Sequence, residues 1–534
     1  MVNVNSVLDV SVTGCVDDGT VFRCLDWEGV LPQGLVSSPG GVLVSKLIRE
    51  LRQACFRCDP EFDLGLVDAG IRLALDAHSD QKRLSGEPFV THPLAVANIL
   101  AGLGVSAPVV TAAVCHDVLE DTGVTVEMLT KATSVEVARL VEAVSKIVVP
   151  ASGGVDSQAA TLQKMLTAAL GDPRVVLIKS ADRLHNMRTL GVLPPEKQDR
   201  IALETREVYA PLAFRMGASV IARELEDLAF QRLEPEMFGM VSQLIARLSP
   251  QRDAMLTKVT SELSRELKAA GLECVISGRT KHVWSTYKKV VNLDPGDWDE
   301  MLGVWDLVGV RVVCENVRDC YATLGVVHEL WRPLPNRFRD YIASPKFNLY
   351  QSLHVNVLGP GGVPVEIQIR TQEMHERATI GVAAHWAYKK GGPPTTQDLE
   401  WMLRLVEWQT TADTAEEYLE AVVAELTEDE IQVFTPSGEM VSLPSGATAL
   451  DFAYQIHTDI GHGATGVKID GQPGLLTGQL QPGVTVQVLG GRRSGPDLEW
   501  FRVVRTPRAR EAIKRWFGKA ARQLTNEPTT PTSQ

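Results

Sequence analysis

Apolar residues from about position 45 to 245 recur at helical spacing, in long stretches such as Val135 to Ile147 and Ile201 to Leu228. That spacing predicts amphipathic helices packed on one another. One Gly-rich interruption, Pro150 to Ser157, reads as a surface loop. From about 246 to 390 the period changes. A helix over roughly Ala254 to Ala270 leads into β-branched runs at Val304 to Cys314 and Val365 to Thr371, separated by helical segments. This is α/β or α+β patterning. Alternation within Val363 to Thr371 puts Val365, Ile367 and Ile369 on one face and Glu366, Gln368 and Arg370 on the other. The polar face is either solvated or lines a site, and the pattern leaves both open.

Residues 430–490 read as short strands around one helix, Ala449 to His457, with turn signals at Pro436-Ser437-Gly438 and Gly471 to Gly474. Residues 1–45 are rich in Gly, Ser, Val and Asp without period and are expected to form a weakly ordered extension. The expected divisions are therefore 1–45, a helical region over 46–245, a mixed region over 246–390, a linker (Gly391 to Thr396) with a helix to about Leu426 over 391–429, a small β module over 430–490, and 491–534. The last of these holds a basic helix from Pro507 and a polar stretch, Glu527 to Gln534. No internal repeat is visible.

At 534 residues the chain exceeds one ordinary domain. Its 44% hydrophobic and 22% charged residues are those of a globular protein. Apolar runs such as Ala107 to Cys115 fall short of the ~20 residues of a spanning helix. Asp9, Asp17 and Asp18 stand where a signal peptide would carry basic residues, so a cytoplasmic location and no membrane partner are expected. Eight scattered cysteines point to free thiols, and the lone Cys55–Cys58 CxxC has no second pair with which to build a zinc site. A net charge of −13 disfavours broad nucleic-acid binding.

Candidate chemistry begins at HDVLED, which holds His116, Asp117, Glu120 and Asp121. On a continuous helix His116 would stand one turn from Glu120, and Asp117 one turn from Asp121. His92 lies upstream in THP, and Asp182 opens DRLHNMRT after the apolar run Val175 to Ile178. Two imidazoles and two carboxylates suit a divalent transition metal such as Mn²⁺. A carboxylate beside such an ion can orient or deprotonate its water, and Glu120 and Asp121 stand where that role is open. An isolated His-Asp pair is ordinarily a surface hydrogen-bonding pair, and it is the ordered set that points to a metal.

A second constellation is cationic. Arg279, Lys281, Lys288 and Lys289 crowd ISGRTKHVWSTYKK, and Arg337, Arg339 and Lys346 follow around Asp340. Such runs are ordinarily solvated faces, yet they carry enough charge to neutralise a polyphosphate. Asp306 precedes the apolar strand at Leu307 to Cys314. Asp306 and Glu366 on neighbouring strands would hold Mg²⁺ against phosphate oxygens, as in phosphoryl transfer. Two unrelated surface acids remain the alternative on pattern alone.

With these motifs in view, the chain resembles the RelA/SpoT homologues. RLSGEPFVTHP, HDVLEDT and IKSADRLHNMRTL are similar to the family's HD-type hydrolase domain. SGRTKHVWSTYKK, WDLVGVRVV, NRFRDYIA, LYQSLHV, VEIQIRT and GVAAHWAYKK are similar to its synthetase domain. IQVFTPSGEMVSLPSGATALDFAYQIHTDIGHGATGVKIDG is similar to the small TGS domain. The fold implied is multidomain α + (α/β): an all-α HD-type domain, a mixed-sheet nucleotidyltransferase-like domain and a β-grasp TGS domain.

The resemblance implies Mn²⁺ ligands at His92, His116, Asp117 and Asp182, catalytic carboxylates at Glu120 and Asp121, and a nucleotide pocket at Arg83, Asn186 and Thr189. In the synthetase domain it implies Mg²⁺ at Asp306 and Glu366, with Glu366 also placed to activate the attacking hydroxyl, and guanine stacking on Tyr350. It further implies nucleotide contacts from Arg279, Lys281, Lys289, Arg337, Arg339, Lys346, Asn348, Gln351, His354 and Gln368. Leu84, Gln163, Leu349 and Thr379 depart from the family pattern, and Arg339 fits its bifunctional branch.

The activity implied is double. One reaction removes pyrophosphate from (p)ppGpp, and the other transfers pyrophosphate from ATP to the 3′-hydroxyl of GDP or GTP with release of AMP. Two alternatives stand beside it: a hydrolase whose synthetase half only binds nucleotide, and a non-catalytic regulator acting through TGS. His457 and His462 are expected at the surface, and TGS is a possible contact for tRNA or a protein. Longer members continue into a helical region, a zinc-binding module and an ACT domain, whereas this chain stops at Gln534, so ribosome coupling is not expected.

Overall fold

The structure is a computed structural model that describes residues 39–147, 155–279, 282–291, 308–335, 337–345, 350–380, 430–491 and 495–525, with isolated positions between 406 and 422. The expected loop at 150–157, apart from its last residues, lies outside the described residues, as do the linker at 391–396 and the tail from Glu527. The chain divides into two units, Met1–Ser145 and Lys146–Gln534.

The elements of the first unit's described residues are helices: α1 (Pro39–Cys58), α2 (Leu64–Ala77), α3 (Thr91–Ala101), α4 (Ala107–Val114), α5 (Val118–Asp121), α6 (Val126–Ala132) and α7 (Val135–Ser145). The helix at Pro39 starts inside the segment expected to be an unordered extension. Its apolar stripe (Val44, Ile48, Leu51) is fully buried, and α1 packs along α3, so tertiary burial orders a stretch whose start is Gly-rich. Leu94, Ala97 and Leu100 of α3 and Val109, Val110 and Ala113 of α4 complete the core. Each such large side chain contributes roughly 1.5–3 kcal/mol. At Gly70 of α2 a Cβ would meet the Thr111 methyl of α4 at 2.7 Å, so glycine is what lets these helices approach.

In the second unit α8 (Val155–Gly171) and α9 (Arg174–Arg188) are followed by α10 (Pro195–Glu204), α11 (Ala210–Arg215) and α12 (Ser219–Leu233). One amphipathic helix was expected over Ile201 to Leu228. Instead a π-helical turn at Thr205–Tyr209 precedes Pro211, and Gly217 at φ +80° breaks the chain again. Conversely α13 (Pro235–Ala269) runs for 35 residues straight through Pro250, where the Ala246 carbonyl loses its helical donor. The expected helix began only at Ala254.

α13 lies under a mixed sheet of β1 (Cys274–Gly278), β2 (Val308–Cys314), β3 (Arg332–Pro333), β4 (Arg339–Asp340), β5 (Leu353–Leu358) and β6 (Pro364–Thr371). The order is β1-β2-β6-β5-β3 with β4 on β5; only β2 and β6 run parallel. Alternation along β2 and β6 drives Val308, Val310, Val312, Val365, Ile367 and Ile369 into a core with Val259 and Leu263 of α13 and Val327 of α15 (Val317–Leu330). The opposite, polar face of the sheet meets α16 (Gln372–Ile380), while α14 (Val283–Val290) packs on α12 and α13.

The C-terminal module pairs β7 (Glu430–Phe434) with β8 (Met440–Pro444), and β9 (Ala464–Ile469) with β10 (Gln472–Gly474) and β11 (Val486–Gly490). Both lie around α17 (Ala449–Ile456), which α18 (Thr458–His462) follows. α19 (Trp500–Val503) and the expected basic helix, α20 (Pro507–Thr525), bury Trp500, Val504 and Ile513 against Leu450 and Tyr454 of α17. His457 is exposed as expected; His462 is half-buried, between the Tyr454 hydroxyl at 3.1 Å and the Trp516 ring at 4.7 Å.

Candidate functional site

In the first unit Pro93 sits in the opening turn of α3, where its missing N–H is tolerated, and so fixes His92 one residue earlier. His116 and Asp117 close the turn between α4 and α5. The segment is thus not the continuous helix expected, although the Asp121 amide still donates to the Asp117 carbonyl at 2.9 Å and keeps one helical turn between them. His92 and His116 are buried, with ring centroids 5.2 Å apart. Asp117 reaches both: Oδ1 is 3.1 Å from His116 Nε2 and Oδ2 is 3.7 Å from His92 Nε2. Among the described residues this trio is the cluster whose ligand atoms, all within 4.8 Å of one another, suit a metal ion.

The donor set fits such an ion. His116 Nδ1 lies 2.8 Å from the Ala113 carbonyl, which can only accept, so Nδ1 donates there and Nε2, on the Asp117 side, is the nitrogen left to meet a metal. Two imidazoles and a carboxylate match a divalent transition metal. Asp121 follows one turn on. Desolvation and then the Asp117 charge push its pKa up, against the pull of His78, His116 and His92. Glu120 is exposed beside it.

Two neighbours went unnoticed in the sequence. Gln81 Nε2 donates to the Asp121 carbonyl at 2.7 Å, and its Oε1 lies 2.7 Å from Nδ1 of the buried His78. AHSDQ offered no spacing signal for this. Arg83 belongs to a hairpin turn closed by its amide on the Glu87 carbonyl at 2.9 Å and by Gly86 at φ +90°. The departure at Leu84 is 82% exposed and is not packed on the core.

Asp182, Asn186 and Thr189 belong to the second unit. α9 buries Val175 to Ile178, as expected, and presents Asp182, whose Oδ1 accepts from Asn186 Nδ2 at 2.7 Å. Thr189 Oγ1 donates to the His185 carbonyl at 3.1 Å.

Within the same unit, the polar face of the sheet gathers the synthetase candidates. Glu366 Oε1 accepts from Gln368 Nε2 at 2.8 Å and from Arg279 Nη1 at 3.4 Å, and His354 Nδ1 stands 3.7 Å away. Tyr350 bonds His354 Nε2 at 2.8 Å and donates to Gln368 Oε1 at 3.4 Å. β-register produces this cluster: Gln368 faces His354 across β5–β6 and Arg311 across β2–β6. Gln368 and Arg370 are both buried, so this part of the polar face is covered rather than solvated.

Arg339 pairs with His354 across β4–β5, and Gln351 Nε2 donates to the Ile342 carbonyl at 3.3 Å. Arg337 and Lys289 are exposed. Lys281, Asp306, Lys346 and Asn348 lie outside the described residues, as does Leu349.

Further cations, Arg311 and Arg370, stand on this face. Burial, then Arg370 and Arg279, hold the Arg311 guanidinium down at a pKa of about 10, and burial likewise lowers Arg370. Burial and these two arginines push His375 of α16 down to about 3, so it is neutral. An arginine in the middle of an apolar strand, VGVRVVC, was the available signal.

Three family models match the chain: an HD domain at residues 70–219, a region found in RelA / SpoT proteins at 278–393, and a TGS domain at 431–489. A protein named bifunctional (p)ppGpp synthase/hydrolase RelA from Mycobacterium tuberculosis is 44% identical over 476 residues, 87% of this chain and 64% of its own length. A probable GTP pyrophosphokinase from Mycobacterium leprae is 43% identical over 476 residues, 87% of this chain and 60% of its own. The bifunctional (p)ppGpp synthase/hydrolase SpoT of Escherichia coli is 42% identical over 473 residues, 88% of this chain and 67% of its own. The chain thus spans less than two thirds of the length of the two mycobacterial relatives. Among the described residues no helix is long and apolar enough to cross a membrane.

Proposed function

The chain belongs to the RelA/SpoT family, and from that premise we propose that it both hydrolyses and synthesises (p)ppGpp. Hydrolysis would use water to release pyrophosphate and return GDP or GTP. Synthesis would transfer pyrophosphate from ATP to the 3′-hydroxyl of GDP or GTP and release AMP.

The observation that carries the hydrolase reading is the His92–His116–Asp117 trio, with His116 Nδ1 engaged by the Ala113 carbonyl and Nε2 left as its ligand atom. These residues would hold Mn²⁺, with Asp182 named as a further ligand by the family resemblance alone, and the bound ion would lower the pKa of a water ligand and polarise a phosphoryl oxygen. Asp121, whose carboxyl burial and then the Asp117 charge push up, would be the group to take the proton from water, with Glu120 beside it. Arg83, Asn186 and Thr189 would hold the nucleotide.

On the sheet face Glu366 would bind Mg²⁺ with Asp306 and help activate the 3′-hydroxyl. Its bonds to Gln368 and Arg279 aim the carboxylate. Tyr350 would stack on guanine, and the cations at Arg279, Lys281, Lys289, Arg337, Arg339 and Lys346 would hold phosphates or the adenine ring. Asn348, Gln351, His354 and Gln368 would complete the pocket. TGS would offer a contact for tRNA or a protein partner.

The deciding experiment is turnover by the purified chain beside Asp117→Ala and Glu366→Gln. With ppGpp and Mn²⁺, wild type should release pyrophosphate and Asp117→Ala should not. With ATP, GDP and Mg²⁺, wild type should release AMP and Glu366→Gln should not. A wild type that performs neither reaction refutes the reading, and one that only hydrolyses reduces it to its first half.

A further inference from the structure

Helix α12 lies between the two matched catalytic regions, since the HD match ends at residue 219 and the RelA / SpoT match begins at 278. Ser219, Arg223 and Asp227 follow one another at four-residue spacing and so share one face of it. Both outer members are tied to the synthetase domain. Ser219 Oγ donates to the Ala378 carbonyl of α16 at 2.6 Å, and Asp227 Oδ1 accepts from the Trp284 amide of α14 at 2.8 Å. Arg223 stands midway between these anchors and is half-buried. Its charged and aromatic neighbours are Arg279, Arg311, Tyr350 and Glu226.

Among the described residues, the face it joins holds more cations than acids. Arg370 is 3% exposed, and its Nε, like that of Arg311, has no hydrogen-bond acceptor among the described residues. Glu366 is already shared by Arg279, Gln368 and His354, and Glu226 is engaged by Lys288 at 3.3 Å. Burial, followed by Arg279 and Arg311, pushes the pKa of Arg223 down to about 10. Guanidinium groups drawn together out of water are unfavourable unless an anion joins them, and guanidinium forks match phosphate oxygens. Tyr350, with Arg370 5.8 Å from its ring centroid, adds a flat surface for a base. Phosphate and base together describe a nucleotide.

We propose that Arg223 is a phosphate-holding residue of the synthetase pocket, delivered to the sheet's polar face by α12, and that its ligand is the polyphosphate of a bound nucleotide. The inference rests on the synthetase reading, but its test is equilibrium binding and requires no turnover.

The test measures binding of ATP, GDP and AMP to the full chain by calorimetry, for wild type, Arg223→Gln and Arg223→Lys. Arg223→Gln is expected to weaken ATP or GDP tenfold or more and AMP less than threefold, and Arg223→Lys is expected to recover part of the loss. Unchanged ATP and GDP binding in Arg223→Gln would overturn the proposal. So would an equal loss of AMP and ATP, the mark of a disturbed base pocket, or a wild type that binds neither ATP nor GDP. A wild type that binds both nucleotides yet releases no AMP defeats the synthetase reading alone, and the comparison at Arg223 still stands.

Discussion

Arg188 and Glu224 are joined by two parallel bonds, Nε to Oε1 at 2.6 Å and Nη2 to Oε2 at 2.7 Å, so that α9 is clamped to α12. α9 carries Asp182 and Asn186, and α12 carries Arg223 and Asp227 on the synthetase side. Two opposing activities on one chain would only consume ATP if they ran together, so occupancy of one site should disfavour the other. Glu224→Gln removes the charge of the clamp from a partly exposed pair and should cost under about 1 kcal/mol of stability. It should nevertheless reduce, by about threefold or more, the change in ppGpp hydrolysis that saturating ATP and GDP bring about. Hydrolysis rates with and without those nucleotides measure this, and an unchanged ratio in the variant would sink the clamp's role.

The tautomer of His116 leads to a prediction about metal dependence. With Nδ1 committed to the Ala113 carbonyl, Nε2 is its one ligand atom. His116→Ala should therefore lower Mn²⁺ affinity and ppGpp hydrolysis by at least the ~100-fold that loss of even an outer partner of a ligand can cost. A chelator should silence the wild type in the same way, with Mn²⁺ restoring the wild type and leaving the variant inactive. AMP release with ATP and GDP should survive in His116→Ala, which separates a lost ligand from a lost fold. Full hydrolysis by the chelated wild type would exclude the metal.

The hydrolase trio was legible because its spacing is local: THP and HDVLED each fix a residue relative to a helix end. The turn at Cys115–Asp117 was not, since the apolar run before it reads as continuous helix. The alternating strand Val365–Thr371 announced its two faces, and burial of Gln368 and Arg370 then showed that the polar one is covered there. Arg223, Arg311 and His375 escaped notice because their meeting depends on sheet register and helix packing, which no single segment encodes. Pro250 misled in the opposite direction: α13 buries Val241 and Leu244 before it and Val259 and Leu263 after it, and that burial outweighs one lost backbone bond.

His375 should make stability fall in mild acid. Its folded pKa, about 3, lies far below the ~6.5 of an unfolded imidazole, because burial, Arg370 and Arg311 oppose its charge. Between those values the unfolded chain binds a proton that the folded chain refuses. Stability is therefore retained above about pH 6.5 and lost as pH falls towards 3, with a slope of at most about 1.4 kcal/mol per pH unit before solvent screening. His375→Gln should flatten the fall in unfolding temperature between pH 7 and pH 5. Identical slopes in the two proteins would assign the acid sensitivity to other groups.

Asp451 holds the C-terminal module and α20 together through a single fully buried carboxylate. Oδ2 accepts from the Thr448 amide and hydroxyl, each at 2.8 Å, completing a capping box at the start of α17. Oδ1 accepts from the Arg505 amide at 2.9 Å, the Thr506 amide at 2.6 Å and the Thr506 hydroxyl at 2.8 Å. Asp451→Ala would leave these donors buried without an acceptor, a loss of roughly 3 kcal/mol or more in the module. Asp451→Asn keeps the shape but turns an N–H₂ towards donors on one side, and it should cost nearly as much. Hydrogen exchange localises the effect: amides of α17 and of α20 should lose protection together, while those of α13 and β6 keep theirs. If α17 loosened and α20 did not, the carboxylate would be only a helix cap, and the union of the two helices would rest on Trp500, Val504 and Ile513 packing against Leu450 and Tyr454.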